Sequence, residues 1–199
     1  MLRRHLLLAM IWDRRRTTPA ILTAIALLSW ANVANAADAA TCDTYTKEAI
    51  AKSRAVRQFG CGYDLNDRRW ATERSGHAGW CKAASKAAVA TETAQRRGQF
   101  KLCQLCRTYA DLAAAAAADN ANAKCGFDGA RWSARAEDHF GWCMATRNTD
   151  DAVKAMATGS YAALTAAMEQ SLGQETGRRT LDIAACKLRQ PSPRRPRRS

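Results

Sequence analysis

The spacing of apolar and small residues after residue 40 indicates an amphipathic helix. In the stretch TCDTYTKEAIAKSRAVRQFG, such residues recur at intervals of three or four, the spacing of one helix face, at Tyr45, Ala49, Ser53 and Val56. Thr41 can cap the start of this helix and Gly60 can end it. The stretch YADLAAAAAADNANAK predicts a second helix of strong helix formers, with a break near Asn120 to Asn122.

The rest of the chain also carries helical patterns and lacks the alternation typical of strands. A helix signal begins near His77 and runs through GWCKAASKAAVATETAQRRGQFKLC, and we expect it to end at Cys103. Later glycines interrupt the corresponding pattern, at Gly159, Gly173 and Gly177. We therefore predict two or three shorter helices there and an all-α fold.

Self-comparison shows that the chain contains two copies of one pattern. Each copy reads C-x2-Y-x15-C-G-aromatic, then R-W, then H-x-G-W-C, then E-T-x2-R-x6-C. The matched pairs include Cys42/Cys106, Tyr45/Tyr109, Cys61/Cys125, Arg69/Arg131, Trp70/Trp132, His77/His139, Trp80/Trp142, Cys81/Cys143, Glu92/Glu175, Arg96/Arg179 and Cys103/Cys186. We predict two cysteine-rich helical-hairpin modules, residues 37–103 and 104–186, which meet at Gln104-Leu105. The second module has about 21 extra residues after Cys143.

Residues 1–36 have the pattern of a signal peptide. Three arginines, Arg14 to Arg16, precede an apolar run from Ala20 to Trp30, and the small residues Ala34-Asn35-Ala36 form a cleavage pattern. The start is either Met1 or Met10. The apolar run is too short for a membrane span, which needs about 20 residues. We therefore predict a periplasmic or secreted protein without a transmembrane segment after cleavage.

Export changes the interpretation of the eight cysteines, because an oxidising compartment favours disulfides. Cys42 and Cys61 would lie about 28 Å apart in a straight helix, whereas bridged Cα atoms lie within about 7 Å. That distance disfavours a Cys42–Cys61 bridge and, with it, the sequential pairing of each module. Two antiparallel helices joined by a loop favour a nested pairing, which would be Cys42–Cys103, Cys61–Cys81, Cys106–Cys186 and Cys125–Cys143.

Two patterns in the chain are typical of redox or metal sites. Cys103-Gln-Leu-Cys106 has redox spacing, but a thioredoxin-type site needs a strand before the motif and a helix that starts at its first cysteine. His77 and His139 each precede a cysteine by four residues and could bind zinc with two further ligands. Oxidised cysteines can serve neither as redox thiols nor as zinc ligands. We therefore predict no metal and no cofactor. Each histidine then packs against tryptophan, bonds a loop carbonyl or senses pH.

The remaining candidates for function are aromatic and basic residues of the repeat. The chain has no G-x-S-x-G or H-E-x-x-H motif, so we predict no catalytic residues and no enzymatic activity. The candidate ligand-binding residues are Arg69, Trp70, His77, Arg131, Trp132 and His139, with the loop tryptophans as stacking platforms for sugar rings and the arginines as hydrogen-bond forks. The alternative is a structural cation-π pair of each loop arginine with its tryptophan. Trp80 and Trp142, beside cysteines, are predicted to fill the core, and the alternative is that they too are stacking platforms.

The formal net charge of +13 lies mostly at the two ends of the chain. The tail KLRQPSPRRPRRS, residues 187–199, is too rich in proline and arginine to fold, so we predict a disordered basic tail. A nucleic-acid-binding domain would carry its charge on a structured face, so we predict no nucleic-acid partner. The tail is either solvated or attracted to an anionic cell surface.

With CDTY, CGY, RRW and HAGWC, and then CRTY, CGF, ARW and HFGWC, the chain resembles a cysteine-rich tandem-repeat family of exported alphaproteobacterial proteins. Many of those repeats carry a Gly-Pro-Arg-Trp loop, whereas here both loops lack the proline. The resemblance implies no activity. The sequence as a whole predicts an exported, disulfide-stabilised, non-catalytic structural or binding protein of unknown partner, and the alternative is a cell-wall or carbohydrate-binding module.

Overall fold

The computed structural model describes residues 36–64, 66–145 and 160–190, together with residues 154 and 158. Over these residues the chain is α-helical and has no β-strand, which confirms the predicted fold class. The helices are α1 (Ala39–Gln58), α2 (Arg74–Ala83), α3 (Lys86–Asn122), α4 (Ala136–Ala145) and α5 (Tyr161–Arg189), with 3-10 turns at Arg68–Trp70 and Ala130–Trp132. The predicted signal peptide up to residue 35 and the tail from residue 191 lie outside the described residues.

Short polar contacts fix the ends of the long helices. Asp38 rather than Thr41 caps α1, because its side chain accepts a hydrogen bond from the Thr41 N–H at 2.8 Å. Gly60 follows the end of α1 with φ +60°, a conformation that glycine adopts without strain. At the end of α3, Asn120 accepts a hydrogen bond from the N–H of Phe127 and donates one to its carbonyl. These contacts fold each following loop back onto its helix.

Two expected helix boundaries are wrong. Helix α3 does not end at Cys103 but runs on through Gln104-Leu105 for 37 residues in all. No glycine or proline lies between Gly98 and the end of α3, so the hydrogen-bond ladder continues. The break lies earlier, where Ser85 caps α3 by accepting from the Ala88 N–H and separates it from α2.

Helix α5 is one helix of 29 residues rather than two or three. Gly173 and Gly177 lie inside it, although each glycine costs about 1 kcal/mol relative to alanine in a helix interior. Burial of Leu172 and Ile183 against the rest of the molecule offsets that cost. Lys187 to Arg189, which the sequence assigns to the disordered tail, form the last turn of α5.

The long helices run parallel, so the modules are not helical hairpins of two antiparallel long helices. Along α1 and α3, the contacts advance in the same direction, from Asp38–Lys86 at 2.8 Å to Glu48–Arg97 at 2.5 Å. Near the end of α1, Arg107 of α3 donates to the carbonyl of Phe59. The shorter α2 provides the return between them.

The same arrangement recurs in the second half of the structure. Tyr161 at the start of α5 packs against Gly98 of α3, and Gln190 after its end donates to the carbonyl of Ala123, beyond the end of α3. Helices α3 and α5 are therefore parallel as well, with α4 on the return path. None of the described helices is long and apolar enough to span a membrane.

All eight cysteines form disulfides, paired as Cys42–Cys81, Cys61–Cys103, Cys106–Cys143 and Cys125–Cys186. The nested pairing is therefore wrong in all four cases. Because the long helices of each half are parallel, the first cysteine lies near the third and the second near the fourth. Cys103 and Cys106 belong to separate disulfides and do not form a redox pair.

Helix α3 forms the centre of the described fold. The largest group of buried residues contains its Phe100, Leu102, Cys103, Cys106 and Ala110. Arg97 and Arg107 bond groups in and just after α1, whereas Gly98 and Tyr109 contact α5. Helices α1 and α5 thus pack on different faces of one continuous helix.

Candidate functional site

Two clefts in the structure have equivalent linings. The first cleft, of about 620 Å³, is lined by Tyr45, Arg69, His77, Trp80, Glu92 and Arg96 among others. The second cleft, of about 520 Å³, is lined by Tyr109, Arg131, His139, Trp142, Glu175 and Arg179 among others. Each residue of the first set is the repeat partner of the residue in the same place of the second set. The two clefts therefore share six matched lining residues.

Each cleft draws its residues from four elements. In the first cleft, Tyr45 comes from α1, Arg69 from the 3-10 turn, and His77 and Trp80 from α2. Helix α3 supplies Glu92, and it also supplies Arg96 one turn later. In the second cleft, α3, the second 3-10 turn, α4 and α5 contribute in the same order. The parallel packing of the long helices brings these four elements together.

A buried arginine forms the floor of the first cleft. The guanidinium of Arg96, a residue only 2% exposed, lies 5.2 Å from the ring centre of Trp70 and 5.9 Å from that of Tyr45. On its other face, Trp70 stacks on Tyr63 with ring centres 4.7 Å apart. Burial of an arginine is costly unless it is paired, and here the aromatic faces and an acidic partner compensate the charge.

The second cleft has the same stack. Arg179 is 2% exposed, and its guanidinium lies 5.7 Å from the ring centres of both Trp132 and Tyr109. Trp132 stacks on Phe127 at 4.8 Å. Arg131 also lies over Trp132 at 5.4 Å, which is the cation-π pair that the structural interpretation of the loop predicts.

One carboxylate in each cleft holds two arginines. Glu92 accepts from Arg69 at 2.7 Å and from Arg96 at 2.9 Å. Glu175 accepts from Arg131 at 2.7 Å and from Arg179 at 3.1 Å. Burial alone would raise the pKa of Glu175, but the hydrogen bonds and charges of the two arginines more than offset it and lower that pKa. The Glu175 carboxylate is therefore ionised, and it orients both guanidinium groups of the second cleft.

The tyrosines at the back of the clefts remain neutral at physiological pH. Burial raises the pKa of Tyr45 and of Tyr109, and the neighbouring arginines only partly oppose it. Arg179 donates to the Tyr109 hydroxyl at 3.0 Å. Each phenol thus presents a fixed hydroxyl and an aromatic face.

The two histidines connect the cleft wall to the preceding loop. His77 Nε2 lies 2.9 Å from the carbonyl oxygen of Ala71, and His139 Nε2 lies 2.8 Å from that of Ser133. Both residues are buried, at 3% and 4% exposure. Bonding to a loop carbonyl is one of the roles predicted for them.

The described residues contain no group of three or more His, Cys, Asp or Glu side chains placed to hold a metal ion. The cysteine four residues after each histidine, Cys81 and Cys143, is oxidised. The H-x3-C pairs therefore offer no thiolate ligand.

The roles predicted for the tryptophans are reversed. Trp80 and Trp142 do not fill the core, since they are 42% and 60% exposed. Trp70 is only 3% exposed and Trp132 is partly buried, so both stand behind the cleft wall instead of serving as platforms. The reason is helix geometry, because a residue next to a buried cysteine points about 100° away from it around the helix.

Three residues of each cleft were missed as binding candidates from the sequence, namely Tyr45, Glu92 and Arg96 with their partners Tyr109, Glu175 and Arg179. The signal was present, because all six are matched between the two copies. The pattern E-T-x2-R looks like ordinary solvated helix surface, and only the parallel packing brings it beneath the R-W turn.

The rims of the two clefts differ. Arg68 on the first rim corresponds to Ala130 on the second, and Arg178 on the second rim corresponds to Gln95. Arg68 and Arg178 are both exposed, and neither forms a hydrogen bond or ion pair with another residue in the described part of the chain. Each cleft thus has one uncommitted guanidinium, placed on opposite walls.

Comparison with known proteins gives no function by similarity. No protein-family model, curated protein or solved structure matches this chain. The chemistry of the two clefts therefore carries the functional argument.

Proposed function

We propose that this protein is an exported, non-catalytic binding protein in which each of two equivalent clefts binds a saccharide unit of a cell-wall or cell-surface glycan. The observation that carries the proposal is the paired exposure of Trp80 and Trp142 beside matched polar side chains. Core packing does not account for a large aromatic that stays exposed at the same place in both copies.

The lining suits a sugar because it combines a flat apolar surface with fixed hydrogen-bonding groups. The indole of Trp80 packs on Tyr45 with ring centres 5.1 Å apart, which holds it at the cleft wall. Trp142 packs on Tyr109 in the same way at 5.7 Å. A sugar ring stacks its C–H face on such an indole while its hydroxyls reach the oriented arginine and glutamate. Both cleft volumes fall in the range typical of small-ligand sites.

Buried donors and rim charges favour an acidic saccharide. In the first cleft, Nη1 of Arg96 is buried without a hydrogen-bond partner among the described residues, which leaves an unsatisfied cationic donor at the cleft floor. Arg68 and Arg178 add one uncommitted guanidinium each. A guanidinium binds a carboxylate through two parallel hydrogen bonds, so we expect uronic acids or carboxylated amino sugars to bind more tightly than neutral ones.

The same contacts support a role without catalysis. Glu92 and Glu175 each accept hydrogen bonds from two arginines, which turns them toward the protein. A general acid or base needs a proton to exchange and free access to the substrate. Carboxylates locked between arginines suit binding and orientation better.

The four disulfides are compatible with an oxidising compartment. Periplasmic or extracellular localisation remains part of the proposal, as does membership of the exported repeat family. The basic residues after Arg189 would add attraction to an anionic cell surface. Cell fractionation with antibody detection tests the localisation, and a cytoplasmic protein with free thiols would contradict it.

Binding is tested by titration calorimetry and a glycan array with the parent protein, Trp80→Ala, Trp142→Ala and the double variant. Each single substitution should abolish one of two sites or weaken it by about tenfold or more, since tenfold corresponds to about 1.4 kcal/mol. Leu188→Ala is the control, because Leu188 is 86% exposed and lines neither cleft. If the double variant binds every glycan as the parent does, the proposal is wrong.

A further inference from the structure

We propose that the protein cross-links two separate glycan strands, one held in each cleft. This inference rests on the proposed function, because it takes both clefts as saccharide sites. It adds a statement about the partner, namely that one molecule engages two strands at once. Three features of the structure carry it: the placement of both clefts on one helix, the packing of the flanking helices and the rigidity of the joint.

Helix α3 belongs to both clefts. It supplies Glu92 and Arg96 to the first cleft and Tyr109 to the second. Arg96 and Tyr109 are 13 residues apart on the continuous helix, which corresponds to about 20 Å along its axis and about 140° around it. The two clefts are therefore displaced along α3 and open on different sides of it.

The flanking helices show the same divergence. Tyr45 of the first cleft is on α1, whose Glu48 bonds Arg97 of α3 at 2.5 Å. Arg179 of the second cleft is on α5, which packs on the neighbouring face of α3 through Gly98. Each cleft lies where its own flanking helix meets α3, so the openings follow α1 and α5 to different sides.

The joint between the clefts is rigid. Helix α3 passes through Gln104-Leu105 without a break, and the disulfides at Cys103 and Cys106 fasten it to the first and second halves one turn apart. Because the helix is continuous between these two links, it holds the clefts at a fixed spacing and angle.

This geometry decides between two kinds of bivalent binding. Two sites that face one way can hold successive units of one strand and gain affinity by avidity, whereas sites that cannot engage the same strand gain none. Because the clefts open on different sides of α3, a straight polysaccharide bound in the first cleft does not pass through the second. The second cleft is then free to capture another strand, and the protein acts as a fixed spacer between them.

The test uses purified full protein mixed with polygalacturonate, hyaluronate or soluble peptidoglycan strands, followed by light scattering. Cross-linking should produce large particles at intermediate protein-to-glycan ratios and smaller ones in protein excess, where each cleft holds its own strand. Calorimetry on the same samples counts the sites per chain. Trp80→Ala and Trp142→Ala should each bind at about one site and raise scattering by less than a tenth of the parent's increase, and Leu188→Ala should match the parent.

The outcomes separate the two proposals. Two sites per chain without particle growth would leave glycan binding standing and overturn cross-linking. Particle growth by both single-cleft variants equal to the parent's would also overturn it, because self-association would then join the strands. If the parent binds none of the three polymers, glycan binding itself fails and takes cross-linking with it.

Discussion

Tyr161 packs against Gly98 so closely that no side chain fits between them. A Cβ added at Gly98 would overlap the Tyr161 ring, whereas one added at Gly177 of α5 would meet nothing within 4 Å. The absence of a side chain at Gly98 therefore allows α5 to approach α3. This contact is the first of those that set the two helices parallel.

Gly98→Ala should destabilise the protein by about 1 to 3 kcal/mol, because overpacking outweighs the gain in helix propensity. Gly177→Ala is the matched control and should stabilise by up to about 1 kcal/mol. Urea unfolding with the disulfides intact measures both changes. A Gly98→Ala protein as stable as Gly177→Ala would show that α5 does not pack at this point.

Neighbouring arginines on α3 should differ sharply in their effect on stability. Arg96→Ala removes a buried cation that pairs with Glu92 and stacks on two aromatic rings, and we expect a loss of about 3 kcal/mol. Arg97 pairs with Glu48, but its side chain is 62% exposed, so Arg97→Ala should cost less than about 1 kcal/mol. Thermal and urea unfolding compare the two variants. Equal losses of stability in the two variants would contradict the buried stacking of Arg96 on the aromatic rings.

Mass mapping of unreduced peptides should recover Cys42–Cys81, Cys61–Cys103, Cys106–Cys143 and Cys125–Cys186. Removing one of these by Cys61→Ser with Cys103→Ser should lower the free energy of unfolding by about 2 to 4 kcal/mol. Recovery of a Cys103–Cys106 peptide, or of the nested pairs, would exclude the parallel arrangement of the long helices.

Stability should fall in acid. Arg97 lowers the pKa of Glu48, and Lys86 with the Thr41 N–H lowers the pKa of Asp38. A carboxyl whose pKa is lower in the folded state stabilises the fold fully above its unfolded value, near 4, and loses that contribution as the pH falls through the folded value. Urea unfolding at pH 7 and pH 3 measures the loss. Glu48→Gln should show a smaller difference between the two pH values, and an unchanged difference would exclude this pair as a source.

The sequence was sufficient for the secondary structure class, because that class depends on local periodicity. Helix α1 ends just before Gly60, and α3 ends at Asn122, where the sequence indicated breaks. The direction of one long helix relative to the next depends on the path of α2 and α4, which is a tertiary property. The nested pairing is wrong because it assumed a hairpin of two antiparallel long helices. In the structure α2 runs back between α1 and α3, so the two long helices are parallel.

The candidate site was only partly predictable for a related reason. Arg69, His77 and their partners line the clefts, but Trp70 lies behind Arg96 and Trp80 lies at the surface. Sequence neighbours on a helix point in different directions, so adjacency to a buried cysteine does not imply burial. The Cys42–Cys81 disulfide determines which face of α2 packs on α1. The repeat pattern alone does not specify that disulfide.

The junction of the two halves within α3, at Gln104-Leu105, has an incomplete counterpart at the end of α5. Leu105, which packs against the core, corresponds to Leu188, which is 86% exposed, and the place of Cys106 is taken by Arg189. The end of α5 thus has the helix and the leucine found at that junction. It lacks the cysteine with which a further repeat would begin. Grafting a copy of residues 106–186 after Leu188 should therefore extend the molecule into a superhelical array, adding one cleft for every unit.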